Sequence, residues 1–205
     1  MVAAAVTTWL IVVVTGIGLV ARYDNAAGAA ASAGDLWPRA SRLTRDSSAP
    51  TLVMIVHPQC SCTRASLSEL AEIMARTSHP VRAYVVFTRP HHLRGDSASS
   101  DLWGRATAIP GVTVVRDDDG REAGAFGSRT SGQVLVFDAS GQLAFVGGTT
   151  RSRGHGGDNV GRRAILAVLN HEAPPQKLTP VYGCALFDAG DVRLDLVTGH
   201  DDHDH

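Results

Sequence analysis

Hydrophobic positions fall along this chain in runs whose length and spacing change from segment to segment, and each change predicts a different element. Residues 3–20, AAAVTTWLIVVVTGIGLV, carry no charge. At about 1.5 Å per residue in a helix they nearly cross a hydrocarbon core of roughly 30 Å. Residues 51–57, TLVMIVH, form a continuous apolar, β-branched run, the pattern of a strand buried on both faces. Residues 63–76 space Ala65, Leu67, Leu70, Ile73 and Met74 two to four apart, which wraps an apolar stripe round one face of a helix that His79-Pro80 ends. Residues 81–88 read as a second buried strand, 99–108 as a short helix carrying Trp103, and 112–115 as a third strand. Residues 133–138 and 142–146 flank Ala139-Ser140-Gly141 and predict a hairpin. A last helix opens at the cap residues Asp158 or Asn159 and continues through VGRRAILAVLN.

The order strand, helix, strand, helix, strand, hairpin, helix packs most simply as a mixed α/β sheet covered by helices on both faces. The chain then divides into a membrane anchor or signal segment (1–21), a tether (22–48), one α/β domain (49–172) and a C-terminal extension (173–205). The tether includes Ala26 to Ala33, nearly all Ala, Gly and Ser, which predicts flexibility. For the first segment an uncleaved anchor is the plain reading. Cleavage after the small-x-small Ala31-Ser32-Ala33 is the alternative, set against a long apolar run with no basic stretch before it. Arg22, Arg39, Arg42 and Arg45 all follow the span, and taken alone they would hold that side in the cytoplasm.

Charge and cysteine content narrow the chemistry. Nineteen basic and twenty acidic residues among 205 leave a net charge of −1, so no basic field exists for a nucleic-acid backbone. Three cysteines are too few for a disulfide scaffold, yet two form Cys60-Ser61-Cys62 between a buried strand and a helix, leaving Cys184 odd. A cysteine at a helix N-terminus meets unpaired N–H groups and the positive end of the helix dipole, which favour thiolate over thiol. Cys60 is therefore the expected nucleophile, with His57, Pro58 and Arg64 as supporting neighbours. A Cys60–Cys62 bridge is feasible but strained, which suits exchange over permanent stapling. Buried small hydrophobes are the bland alternative. Copper or zinc held by Cys60, Cys62 and Cys184 with His57 or His155 is the metal alternative.

Other groups carry less. His155 lies in a glycine-rich loop before the last helix, Gly154 to Asn159, which lacks a nucleotide-binding lysine and reads as a structural turn. His91-His92 and the Asp117–Gly120 run read as solvated loops. His200, His203 and His205 belong to an acidic tail. No Ser-His-Asp order, paired carboxylates or phosphate-binding fingerprint points to a hydrolase or kinase.

The segments HPQCSCTRASLSEL, SGQVLVFDASGQLAFVGG, RGHGGDNVGR and TPVYGC together resemble the thioredoxin-like superfamily, and more narrowly its bacterial membrane-anchored or exported RedB-like proteins. The resemblance implies a thioredoxin-like fold and a dithiol/disulfide site in which Cys60 attacks and Cys62 resolves, with protein dithiols or disulfides as partners and no cofactor. It also favours export, placing the domain in the periplasm or otherwise outside the cytoplasm. Two departures stand out. The spacing is Cys-x-Cys where the superfamily has Cys-x-x-Cys, and Gly132 stands where it typically has a cis-proline facing the sulfurs. A metal-delivery module on the same fold remains the competing class, and a thiol peroxidase a weaker third.

Overall fold

The computed structural model describes residues 1–89, 100–118 and 120–187. His91, His92, Asp119 and the histidine-bearing tail lie outside the described residues. Helix α1 (Val2–Asp24) is apolar, with a mean hydropathy of 2.2, and none of its residues is buried, so by length and composition it is able to cross a membrane. The domain contains β1 (Thr51–Val56), α2 (Thr63–Arg76), β2 (Arg82–Thr88), α3 (Asp101–Thr107), β3 (Val112–Asp117), α4 (Arg121–Ala125), β4 (Gln133–Phe137), β5 (Leu143–Gly147) and α5 (Val160–Leu169). The periodicity places α2 correctly to the residue, and Asn159 caps α5 by accepting a hydrogen bond from the Arg162 N–H. The unpredicted α4 has five residues, too short for its period to register.

The sheet order is β3-β2-β1-β4-β5, with β1 parallel to β2, β2 parallel to β3, and β4 antiparallel to both neighbours. Every residue of β1 is buried, as its continuous apolar run requires of a central strand. One face packs Leu52, Met54, Val85, Phe87 and Phe145 against Leu67, Leu70 and Ile73 of α2 and Ile165 and Leu169 of α5. Side chains of this size contribute about 1.5–3 kcal/mol each on full burial. The opposite face carries Val53, Ile55, Val86, Leu135 and Phe137, and among the described residues α4 is the one helix that covers it. Irregular chain completes that layer, with Trp37 and Leu43 from before β1 and Leu186 from after α5.

Residues 26–33, expected to be flexible, are laid along the domain, with Gly28 N–H donating to Val181 O at 2.8 Å and Ser32 N–H to Gly127 O at 2.9 Å, and the chain beyond them is anchored as well. Trp37 meets the rings of Phe126 and Phe137 edge-on, each at a centroid distance of 5.1 Å. Ser41 Oγ and the Arg42 N–H donate to the buried Glu122 carboxylate at 2.6 and 2.8 Å. Composition suggested freedom because Ala, Gly and Ser offer few anchoring side chains, yet backbone hydrogen bonds hold that stretch, and Trp37 and the Glu122 carboxylate anchor the chain that follows.

Candidate active site

β1 ends at Val56 and the chain turns through His57, Pro58 and Gln59 before α2 begins. The helix starts later than the motif suggested. Cys62 is its N-cap, and Cys60 sits in the preceding turn, where its N–H donates to His57 O at 3.2 Å and its carbonyl accepts from Thr63 N at 3.0 Å. Cys60 nevertheless draws on the helix start, because the Cys62 N–H favours its thiolate. Cys60 is 1% exposed.

The third sulfur, left odd by the sequence, is the one nearest to hand. Cys184 Sγ lies 2.9 Å from Cys60 Sγ, and all three cysteines are free thiols. Cys184 rides on a strap that follows α5 and folds back across the site. Its backbone pairs antiparallel with the segment before β4: Ser131 N–H donates to Cys184 O at 2.8 Å and Leu186 N–H to Arg129 O at 2.9 Å. Gly28 N–H donates to Val181 O at 2.8 Å, and Arg153 donates to Gly183 O. Leu186 is buried on the second face of the sheet, which pins the far end of the strap.

These contacts set the protonation of the three thiols. Burial pushes the Cys60 thiol up, but hydrogen bonds from the Cys184 thiol, the Cys184 and Cys62 N–H groups and the Ser131 hydroxyl outweigh it and hold Cys60 below the ordinary thiol range. Burial, then hydrogen bonding to Cys60 and the Cys60 charge, pushes Cys184 up to about 12. Cys62 is raised by burial and by the Cys60 charge. The arrangement favours the thiolate at Cys60 and the protonated thiol at both neighbours. Arg153 opposes the rise at both Cys62 and Cys184, and it is the cation the site uses. Arg64, expected to serve Cys60, turns outward to Asp101 at 2.9 Å, both side chains more than half exposed.

The other expected residues divide. His57 orients the turn, its Nδ1 accepting from Gln59 N at 3.1 Å and its N–H donating to Ser131 Oγ at 2.8 Å. Pro58 is half-buried in the same turn. Gly132 has φ +88°, a left-handed conformation that glycine adopts freely, and its N–H donates to Ile55 O at 2.8 Å. A Cβ there would come within 2.7 Å of Ser66 Oγ. His155 is exposed, with Nδ1 2.7 Å from Arg153 O. Among the described residues no three His, Cys, Asp or Glu side chains are grouped so as to hold a metal ion, so the set of Cys60, Cys62, Cys184, His57 and His155 is not assembled as ligands.

Besides Arg153, sequence reasoning missed Ser131, Thr63 and Glu69. Ser131 is 1% exposed, and its hydroxyl accepts from His57 N at 2.8 Å and lies 3.0 Å from Thr63 Oγ1. Thr63, the first residue of α2, also donates to His57 O at 3.2 Å. Glu69 of α2 accepts from Gly157 N at 2.5 Å and Arg162 at 2.9 Å, so the glycine-rich loop closes on an internal carboxylate. A serine in a loop and a glutamate in a helix give no local signal of this. A charged residue on the buried face of α2 was the available hint of Glu69.

No protein-family model and no curated protein sequence matches the chain. Solved structures do. A hypothetical protein of Sinorhizobium meliloti 1021 superposes with a TM-score of 0.60 at 17% identity, covering 80% of this chain and 100% of that one. An uncharacterized conserved protein of Geobacillus kaustophilus gives 0.58 at 17% identity, covering 80% of this chain and 94% of the other. The pneumococcal exposed lipoprotein thioredoxin of Streptococcus pneumoniae strain TIGR4 gives 0.45 at 20% identity over 61% of this chain and 86% of that chain. The chain has a thioredoxin-like fold with an N-terminal helix long and apolar enough to span a membrane.

Proposed function

We propose that this thioredoxin-fold protein is a thiol-disulfide oxidoreductase, tethered to a membrane through α1 with its domain outside the cytoplasm. One observation carries the reading: Cys60, buried in the turn before α2, has the Cys184 sulfur at 2.9 Å and Cys62 two residues on, in surroundings that favour its thiolate. A thiolate is the attacking species in disulfide exchange, and a second thiol nearby releases the product. The Cys60 thiolate attacks a partner disulfide, forming a mixed disulfide and expelling one partner sulfur as thiolate. A neighbouring cysteine of the Cys-x-Cys turn or the strap then attacks Cys60, expels the second partner sulfur and leaves an intramolecular disulfide. The partner gains two electrons and the protein loses two. A protein dithiol reverses the steps.

The test is native mass spectrometry of the full chain in detergent, equilibrated anaerobically across thiol/disulfide buffers. The expected result is reversible conversion to a species lighter by two hydrogens, absent in Cys60→Ser. A species heavier by one metal ion and indifferent to the buffers would overturn the reading in favour of a copper or zinc module.

A further inference from the structure

We infer that Cys184 is the thiol that resolves the Cys60 mixed disulfide, so that the working bridge is Cys60–Cys184 and oxidation ties the C-terminal strap across the site. The inference rests on the redox reading above and assigns its second sulfur. Three observations carry it.

The first is distance. At 2.9 Å the Cys60 and Cys184 sulfurs need to close by only about 1 Å to reach bonding separation near 2.05 Å. Cys62, by contrast, is fixed as the helical N-cap at φ −67° and ψ −24°, its carbonyl accepting from Ala65 and Ser66. A bridge from it to Cys60 has to form inside a turn held by these bonds, whereas the Cys184 sulfur already lies beside Cys60.

The second is delivery. Two main-chain hydrogen bonds to residues 129–131, the contacts from Gly28 and Arg153, and the burial of Leu186 fix the strap on both sides of Cys184. Gly183 makes the approach possible, since a Cβ there would overlap the Ser131 carbonyl. The strap also explains why the nucleophile is 1% exposed while Cys184 stays half-buried. It must lift to admit a partner disulfide.

The third is timing. In the dithiol form Cys184 keeps its proton because, beyond burial, it donates to the Cys60 thiolate and sits in its negative field. When Cys60 enters a mixed disulfide its charge disappears and it no longer needs a donor. Two of the influences holding the Cys184 proton are removed, and the proximity of Arg153 favours release of that proton to solvent. The Cys184 thiolate then attacks Cys60 Sγ, the Cys60–Cys184 bond forms, the bond to the partner sulfur breaks, and the partner departs as thiolate.

The test maps the bridge in the full-length protein. Wild type, Cys62→Ser, Cys184→Ser and Gly183→Val are equilibrated with glutathione buffers, alkylated, digested without reduction and sequenced by tandem mass spectrometry. Wild type and Cys62→Ser are expected to yield a linked pair joining Cys60 to Cys184, and Cys184→Ser to lose it. Gly183→Val lowers the effective concentration of the second thiol, so its bridging constant against glutathione falls about tenfold or more. Leu186→Ala, which loosens the strap without adding atoms, is expected to weaken the bridge in the same direction. A Cys60–Cys62 bridge in wild type that survives in Cys184→Ser overturns the assignment and leaves the oxidoreductase reading standing. Absence of any intramolecular bridge in wild type overturns both.

Discussion

Cys60 and Cys184 carry the same side chain, yet their surroundings drive their protons in opposite directions. Cys60 lies below the ordinary thiol range and Cys184 near 12, against about 8.5 for a thiol in an unfolded chain. Between the folded value of Cys60 and about pH 8.5 the unfolded state binds more protons at Cys60, so that group makes the reduced protein more stable as pH rises. Above about 8.5 the unfolded Cys184 loses its proton while the folded one keeps it, and stability falls with pH up to about 12. Denaturant titrations of the reduced protein across this range are expected to show the rise and the fall, and Cys184→Ala to abolish the fall due to that group. In the same variant Cys60 loses the thiol that donates to it, so thiolate absorbance of Cys60 is expected to appear at higher pH than in wild type. At this scale the sequence was half legible. The order of strand, Cys60 and helix announces a nucleophile through local chemistry. Cys184 carries no local sign of its role, because its partner is 124 residues away and the strap's path depends on tertiary contacts.

Among the elements, α2 does more than present cysteines. Glu69 on its buried side ties it to α5 through Arg162, and to the glycine-rich loop through Gly157 N and Asn159 Nδ2. The glutamate side chain is 4% and the arginine 10% exposed, so the pair is desolvated and satisfied by hydrogen bonds on both sides. Glu69→Ala strands a buried guanidinium, and chemical denaturation is expected to show a loss of about 3–5 kcal/mol. The amphipathic stripe of α2, the unbroken apolar run of β1, the hairpin and the Asn159 cap were all readable, because in each the period or cap chemistry is contained within the element. The wrapping of residues before β1 and the covering of the sheet's second face were not. They depend on single anchors, Trp37 and Leu186, that create no period.

For the whole molecule, a Cys60–Cys184 bridge closes a loop spanning 124 residues of sequence, nearly the entire domain. In the chain-entropy account a loop of that length stabilises the folded state by about 4–5 kcal/mol. Calorimetry of the oxidised and reduced full chain is expected to show the oxidised form melting higher. Equal melting temperatures would mean that the bridge lies within the Cys-x-Cys turn, where the loop is too small to matter. The fold class was readable from element order, while the covalent reach of the site was not.

Arg153 adds a consequence of its own. Its N–H donates to Asp24 O at 2.9 Å, its Nε to Tyr23 O at 3.2 Å, and its guanidinium lies over the Tyr23 ring while also holding Gly183 of the strap. One side chain thus joins the last turn of α1 to the lid of the site. With α1 in a bilayer, the mouth of the site is held at the membrane surface instead of on a free leash. Partners confined to that membrane find it by a search in two dimensions, within a layer a few nanometres thick, while freely diffusing proteins must first reach the surface. On the proposed oxidoreductase reading, geometry, ahead of any surface complementarity, then sorts the proteins that exchange electrons with Cys60.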